Sequence, residues 1–132
     1  MAKIIFLSLE QILAIHYDQI ENYGGSHGIR EMSLLESAIH RPQASFMREY
    51  LYSSIFDKAA ALIHSMILNH PFIDGNKRTG TVTGAAFLHL NGWDIKVTQD
   101  EMLNLSLNVE SKKWDIEELS QWLRDHSRKT TK

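Results

Sequence analysis

The sequence predicts an all-α fold, a bundle of about six helices carrying a small flap. Three observations predict it. Apolar residues recur at helical spacing in several windows, most clearly Ile55, Phe56, Ala59, Ala60, Ile63, Met66 and Ile67. Helix-opening pairs, a capping side chain followed three residues later by Glu or Gln, stand at the heads of such windows. The breakers, two prolines and seven glycines in 132 residues, fall between them.

Taken in order, Ser8 with Gln11 opens a first helix through Ile12, Leu13, His16, Ile20 and Tyr23, which stops at Gly24 and Gly25. Ser33 with Glu36 opens a second over Leu34, Leu35, Ala38 and Ile39, closed before Pro42. Residues 42–53 carry no helical stripe, yet Phe46, Met47, Tyr50, Leu51 and Tyr52 are many apolar side chains for a loop. The third helix runs from about Ser54 to Asn69, and a fourth ends at Asn91 and Gly92. "WDIKV", residues 93–97, alternates but is too short and isolated for a sheet. Thr98 with Glu101 caps a fifth helix and Asp115 with Glu118 a sixth, carrying Ile116, Leu119, Trp122 and Leu123. The tail "RDHSRKTTK" is expected to fray.

At 15.2 kDa the chain suits a single domain spanning residues 1–132. Hydrophobic residues make up 43% and charged residues 23%, as in ordinary globular proteins. A net charge of −2 argues against a general nucleic-acid binder, which normally shows a basic excess on one face. With no cysteine, disulfides and thiolate metal sites are excluded. The opening "MAKIIFLSLEQ" has too short an apolar run for a signal peptide or membrane helix. The expectation is a cytoplasmic protein that touches neither membrane nor nucleic acid.

The chemistry concentrates in "HPFIDGNKRTGTVTG", residues 70–84. Pro71 disfavours helix in the residue before it, so the third helix ends near His70. Asn76 is a favoured N-cap, so the fourth begins there. His70 to Gly75 is then a tight loop, with Phe72 as the apolar anchor and Gly75 where the backbone turns sharply or approaches a ligand. The first turn of a helix favours acidic residues, whereas this one holds Lys77 and Arg78, each unfavourable by roughly 0.3–1 kcal/mol. Two cations above open backbone N–H groups call for an anion, and phosphate is the natural one. Asp74 would repel phosphate unless a cation such as Mg²⁺ lies between them. His70 stands within reach as a general base. The following "TGTVTGAAF" holds three Thr and two Gly, and each Gly costs roughly 0.8–1 kcal/mol in a helix interior. Gly80, Gly84 and Ala85 leave one side bare for a closely packed neighbour. Taken singly, His70 reads as a helix end, Asp74 as a turn residue, Asn76 as a cap, and Lys77 and Arg78 as surface. Their concentration within nine residues, against the helix dipole, favours a phosphate site.

These residues carry a resemblance. "HPFIDGNKR" matches the Fic motif, His-x-Phe-x-Asp/Glu-Gly-Asn-x-Arg, at six fixed positions in register. The chain resembles the death-on-curing (Doc) toxins, a short branch of the Fic superfamily; "GIREMSLLESAIHRPQASF" and "HLNGWDIKV" extend the likeness over most of its length. The resemblance implies an all-α Fic core that uses ATP and Mg²⁺ to modify a protein hydroxyl. It makes His70 the general base and Asp74 the Mg²⁺ ligand. It gives Gly75, Asn76 and Arg78 the phosphates, with Lys77 beside them, and Phe72 the anchoring of the loop. Residues 42–53 become a flap that pairs with the target segment.

Two departures from the general Fic pattern bear on the reaction. Adenylylating members have Gly in place of Lys77 and a second Arg in place of Thr81. Lys77 would fill part of the backbone anion nest, and losing the Arg removes a clamp on the γ-phosphate. Doc proteins share both features. The resemblance therefore implies a protein kinase that phosphorylates elongation factor Tu and arrests translation, the toxin of a type II toxin–antitoxin system. An adenylyltransferase, transferring AMP through the same residues, is the alternative. For the inhibitory Ser/Thr-x-x-x-Glu-Gly/Asn helix of many Fic enzymes, the helical candidate is Ser106 to Glu110, followed by Ser111 rather than Gly or Asn. That stretch reads as a polar helix face, so inhibition is expected from a separate antitoxin protein. A metal-dependent hydrolase built on His64, His70 and Asp74 and a non-catalytic binding module are weaker readings.

Overall fold

The computed structural model describes residues 3–130 and contains six α-helices among them. They are α1 (Leu9–Tyr23), α2 (Met32–His40), α3 (Ile55–Asn69), α4 (Asn76–Leu90), α5 (Gln99–Glu110) and α6 (Ile116–Asp125). A 3-10 turn, Arg41–Gln43, follows α2. Two small antiparallel pairs complete the fold: β1 (Ser45–Phe46) with β2 (Glu49–Tyr50), and β3 (Trp93–Ile95) with β4 (Ser127–Lys129). No helix among the described residues is long and apolar enough to cross a membrane.

Local rules start four of the helices. Ser8 with Gln11, Ser54 with Asp57, Thr98 with Glu101 and Asp115 with Glu118 each form a reciprocal capping box. Such a cap contributes about 1 kcal/mol. The second helix departs from expectation. It opens at Met32, with Glu31 in the capping position and no side-chain cap, while the Ser33 hydroxyl donates to Glu31 at 3.1 Å. A tertiary contact sets this start: the N–H groups of Arg30 and Glu31 both donate to the Pro71 carbonyl, 2.8 and 3.0 Å away.

Helix α3 lies at the centre, with ten of its fifteen residues buried. Its apolar face meets Leu35, Phe87, Leu105, Leu119 and Leu123 from the surrounding helices in one core. Helix α4 packs against it where the sequence leaves α4 bare. A Cβ on Gly80 would stand 3.1 Å from the Met66 Cβ, and one on Gly84 would overlap the Ile63 side chain. The glycine cost in α4 is therefore offset by close contact with α3, which holds the chain on either side of residues 70–75 rigid.

The C-terminal segment corrects two expectations. Residues 93–97 are not isolated, and the tail to Lys129 is not frayed. Trp93, Asp94 and Ile95 pair with Lys129, Arg128 and Ser127, and further backbone bonds join Lys96 to His126 and Thr130 to Gly92. Each segment supplies the partner that the other lacks in the sequence.

Residues 42–53 form the 3-10 turn and the β1–β2 hairpin, the expected flap. Phe46 is 68% and Met47 81% exposed, so these apolar side chains face outward rather than into the core. Met47 and Arg48, at φ 51° and 69°, make the two-residue turn in a left-handed geometry usually given to Asn and Gly. The foot of the flap is bolted to α3. Lys58 is fully buried, donates to the carbonyls of Tyr52 (2.6 Å) and Ser53 (3.1 Å), and lies 4.0 Å from the Tyr50 ring centre. Arg41 donates to the Tyr52 hydroxyl and to Ser65.

Candidate active site

The loop between α3 and α4 is built around two buried side chains. Phe72 is 1% exposed and places the middle of residues 70–75 in the core. Asn76 does something other than cap. Its Oδ1 accepts from the Phe72 N–H at 2.9 Å, and its Nδ2 donates to the Phe72 carbonyl at 3.0 Å. Helix α4 begins at Asn76 itself, after Gly75, and has no side-chain cap. The amide thus closes a ring around the anchor, a pairing that neither residue signals locally. Gly75 sits at φ +76°, the left-handed geometry that turns the loop into the helix.

Because no side chain caps α4, the first-turn N–H groups have no intrahelical partner and none from a side chain. Its first turn holds no acidic residue. A helix end of this kind favours an anion, and this one carries two cations. The Lys77 ammonium reaches across to α5 and pairs with Glu110, at 3.1 and 3.2 Å from its two oxygens. Residues 106–110 are therefore not a solvated polar face: Glu110 meets Lys77, and Ser106 is buried, donating to the Leu103 carbonyl. Arg78 donates to the Gly24 carbonyl at 2.8 Å and lies over the Tyr23 ring. Thr81 turns its hydroxyl back onto its own helix, donating to the carbonyls of Lys77 and Arg78.

Asp74 is held from three directions. Its carboxylate accepts from the backbone N–H of Ser26 (3.1 Å) and of Gly75 (2.9 Å), and these bonds hold it below the usual carboxylate range. Gly25, at φ +116°, permits this closeness, since a Cβ there would stand 2.8 Å from the Asp74 oxygen. The Asp74 carbonyl accepts from Nε2 of His16 at 2.8 Å. Burial among these groups keeps the His16 imidazole below its ordinary pKa.

His70, exposed at the end of α3, joins residues 73–78 in lining one cavity of about 290 Å³. Imidazole, a fixed carboxylate and an open helix N-terminus therefore face a common space. One carboxylate among phosphate oxygens and waters is a donor set that suits Mg²⁺, and Asp74 is placed to supply it. Among the described residues no group of three His, Asp or Glu side chains is arranged to hold a metal ion. The hydrolase triad of His64, His70 and Asp74 is thus not assembled. His64 stands beside Arg41 instead, and burial, with that guanidinium, lowers its pKa.

Sequence reasoning missed His16, which lies behind the loop rather than in the cavity. Its signal was present: His16 falls midway between Ile12 and Ile20 on the buried stripe of α1. A polar ring there needs a partner.

An uncapped helix start, a carboxylate and a histidine line one cavity in an all-helical bundle with a hairpin, an arrangement consistent with a Fic-type fold. A family model described as Fic/DOC family matches residues 6–88, and the chain belongs to that family. Among curated relatives it is similar to "Toxin Doc" of Mycolicibacterium smegmatis (strain ATCC 700084 / mc(2)155), at 44% identity over 70 residues. That alignment covers 53% of this chain and 54% of the relative, about half of each. It is also similar to "Protein kinase doc" of Escherichia phage P1, at 27% identity over 118 residues, covering 89% of this chain and 92% of the phage protein.

Proposed function

We propose that this chain is the toxin of a toxin–antitoxin pair and a protein kinase, transferring the γ-phosphate of ATP to a Ser or Thr hydroxyl of a partner protein. The observation that carries the reading is the shared cavity of His70, Asp74 and the first turn of α4. The backbone donors of residues 76–78, with Arg78, bind and orient the phosphates. Asp74 holds Mg²⁺, which supplies charge neutralisation at the phosphate oxygens when bound. His70 accepts the hydroxyl proton as the oxygen bonds to the γ-phosphorus and the bond to the bridging oxygen breaks, releasing ADP.

Thr81 supports γ- rather than α-phosphate transfer, whereas the Lys77 ammonium, expected to fill part of the anion nest, pairs with Glu110 instead. Thr81 cannot clamp a terminal phosphate as an Arg would, and its hydroxyl is already committed to its own helix. The exposed apolar flap around Phe46 and Met47 supports docking of a protein segment. The proposed target is elongation factor Tu, whose modification would arrest translation in the cytoplasm, with a cognate antitoxin as the inhibitor. These assignments draw on the Doc resemblance and on the similarity to the protein kinase doc of phage P1.

The test is incubation with Mg²⁺, a cell lysate and ATP labelled at the α- or γ-phosphate, followed by mass spectrometry of the labelled protein. The kinase reading expects γ-label alone and a mass increase of one phosphate, with elongation factor Tu as the labelled band. An added AMP establishes the adenylyltransferase instead, through the same cavity.

A further inference from the structure

The end of α3 lacks the donors that ordinarily close a helix. His70 caps it in a left-handed conformation, φ 49° and ψ 59°, which a side chain with a Cβ disfavours. Helix ends of this shape close through N–H groups of the residues that follow. Here the next residue is Pro71, which has none. The last turn of α3 also carries no basic residue of its own to face the negative end of the helix dipole.

Arg30 supplies both. Its Nη2 donates to the Asn69 carbonyl and its Nε to the His70 carbonyl, each at 2.7 Å. Its backbone N–H donates to Pro71, Ile29 bridges to Phe72, and the Ile73 N–H donates to Gly28. Residues 28–31 therefore lie along residues 70–73 as a strap, and the planar guanidinium spans two successive carbonyls at its end. A planar fork with fixed N–H directions suits that arrangement, whereas an ammonium is a single point charge.

We propose that Arg30 is the positioning residue for His70: by holding the Asn69 and His70 carbonyls it keeps His70 left-handed, with its imidazole at the cavity. Arg30 acts through His70 and not on substrate. The consequence for turnover rests on the proposed transferase function; the consequence for His70 geometry does not.

The experiment compares wild type with Arg30→Lys, Arg30→Gln and Arg30→Ala, using α- and γ-labelled ATP for transfer and ¹⁵N-histidine NMR for the rings. Arg30→Gln is expected to lose about 10²-fold in transfer rate at saturating ATP, since small misplacements of reacting groups cost about that much. ATP affinity should change by no more than about twofold, because the phosphate donors lie elsewhere. Arg30→Lys should fall between, and added ethylguanidinium should partly restore Arg30→Ala. The His70 ring signals should move in every variant while those of His126 stay in place. An unchanged rate with unmoved His70 signals overturns the proposal. So does a parallel fall in transfer, ATP affinity and helical content, the pattern of a general structural loss. If Arg30→Gln and Arg30→Ala fail to fold, Arg30→Lys decides, and full activity with unmoved His70 signals counts against the proposal. Should wild type transfer neither label, the proposed function fails, and the NMR comparison still decides the role of Arg30.

Discussion

The rings of His16 and Phe72 lie flat against each other, with centroids 3.7 Å apart and planes 6° from parallel. The same imidazole donates to the Asp74 carbonyl. One side chain of α1 thus braces both the anchor of the loop and Asp74, the residue proposed to hold Mg²⁺. His16→Phe keeps the stack and removes the hydrogen bond, so it should destabilise by about 1 kcal/mol. His16→Ala removes both and should cost about 2–4 kcal/mol. Urea denaturation of the two variants measures the difference, and equal costs would show that the stack contributes nothing.

Stability should also fall in mild acid. The imidazoles of His16 and His64 both lie below the ordinary 6.5 in the folded protein, chiefly through burial. In that window the unfolded chain binds more protons than the folded one. Their contribution is complete above pH 6.5 and is lost as pH falls through the folded values. Denaturation at a series of pH values should show this slope. His16→Phe should flatten part of it, and an unaltered slope in that variant would assign it to other groups.

Removing the base should separate chemistry from folding. His70→Asn keeps a residue that tolerates the left-handed conformation, so the helix end and the melting temperature should hold. Transfer should drop by roughly 10²–10⁴-fold, and expression should no longer stop growth. Retained activity would remove His70 from the reaction.

Asp74→Asn should raise the Mg²⁺ concentration needed for half-maximal transfer, because an amide is a poorer ligand for a hard cation. A magnesium titration of wild type and variant checks this. Activity that persists in excess chelator would remove the metal from the site.

The contact between α3 and α4 is testable by a double-mutant cycle. Gly84→Ala gains helix propensity of about 1 kcal/mol yet forces a Cβ into Ile63, a clash that costs about 1–3 kcal/mol. The net should be destabilising in wild type and favourable in an Ile63→Ala background, where the obstructing atoms are gone. Additive free energies would mean that the two residues do not share this contact.

What was legible in the chain is what local chemistry encodes. A cap and its partner lie three residues apart, so the starts at Ser8, Thr98 and Asp115 follow from nearest neighbours. The residues of the cavity sit within one window, residues 70–78, and the cations among them conflict with the helix dipole, so the candidate site is visible in the sequence. Long-range pairing left no such mark. Ser33 does not cap α2, because residues 28–31 pair with residues 71–73 and the helix starts directly after them, at Met32. Asn76 was drawn from capping to the Phe72 amide, and the tail gained order only by meeting Trp93–Ile95. His16 and Arg30 reach the loop across 58 and 40 residues. Spacing along a chain records which side chains share a helix face or a turn. Which distant carbonyl a buried donor must satisfy depends on how the helices pack, and that arises only when α1, α3 and α4 close around Phe72.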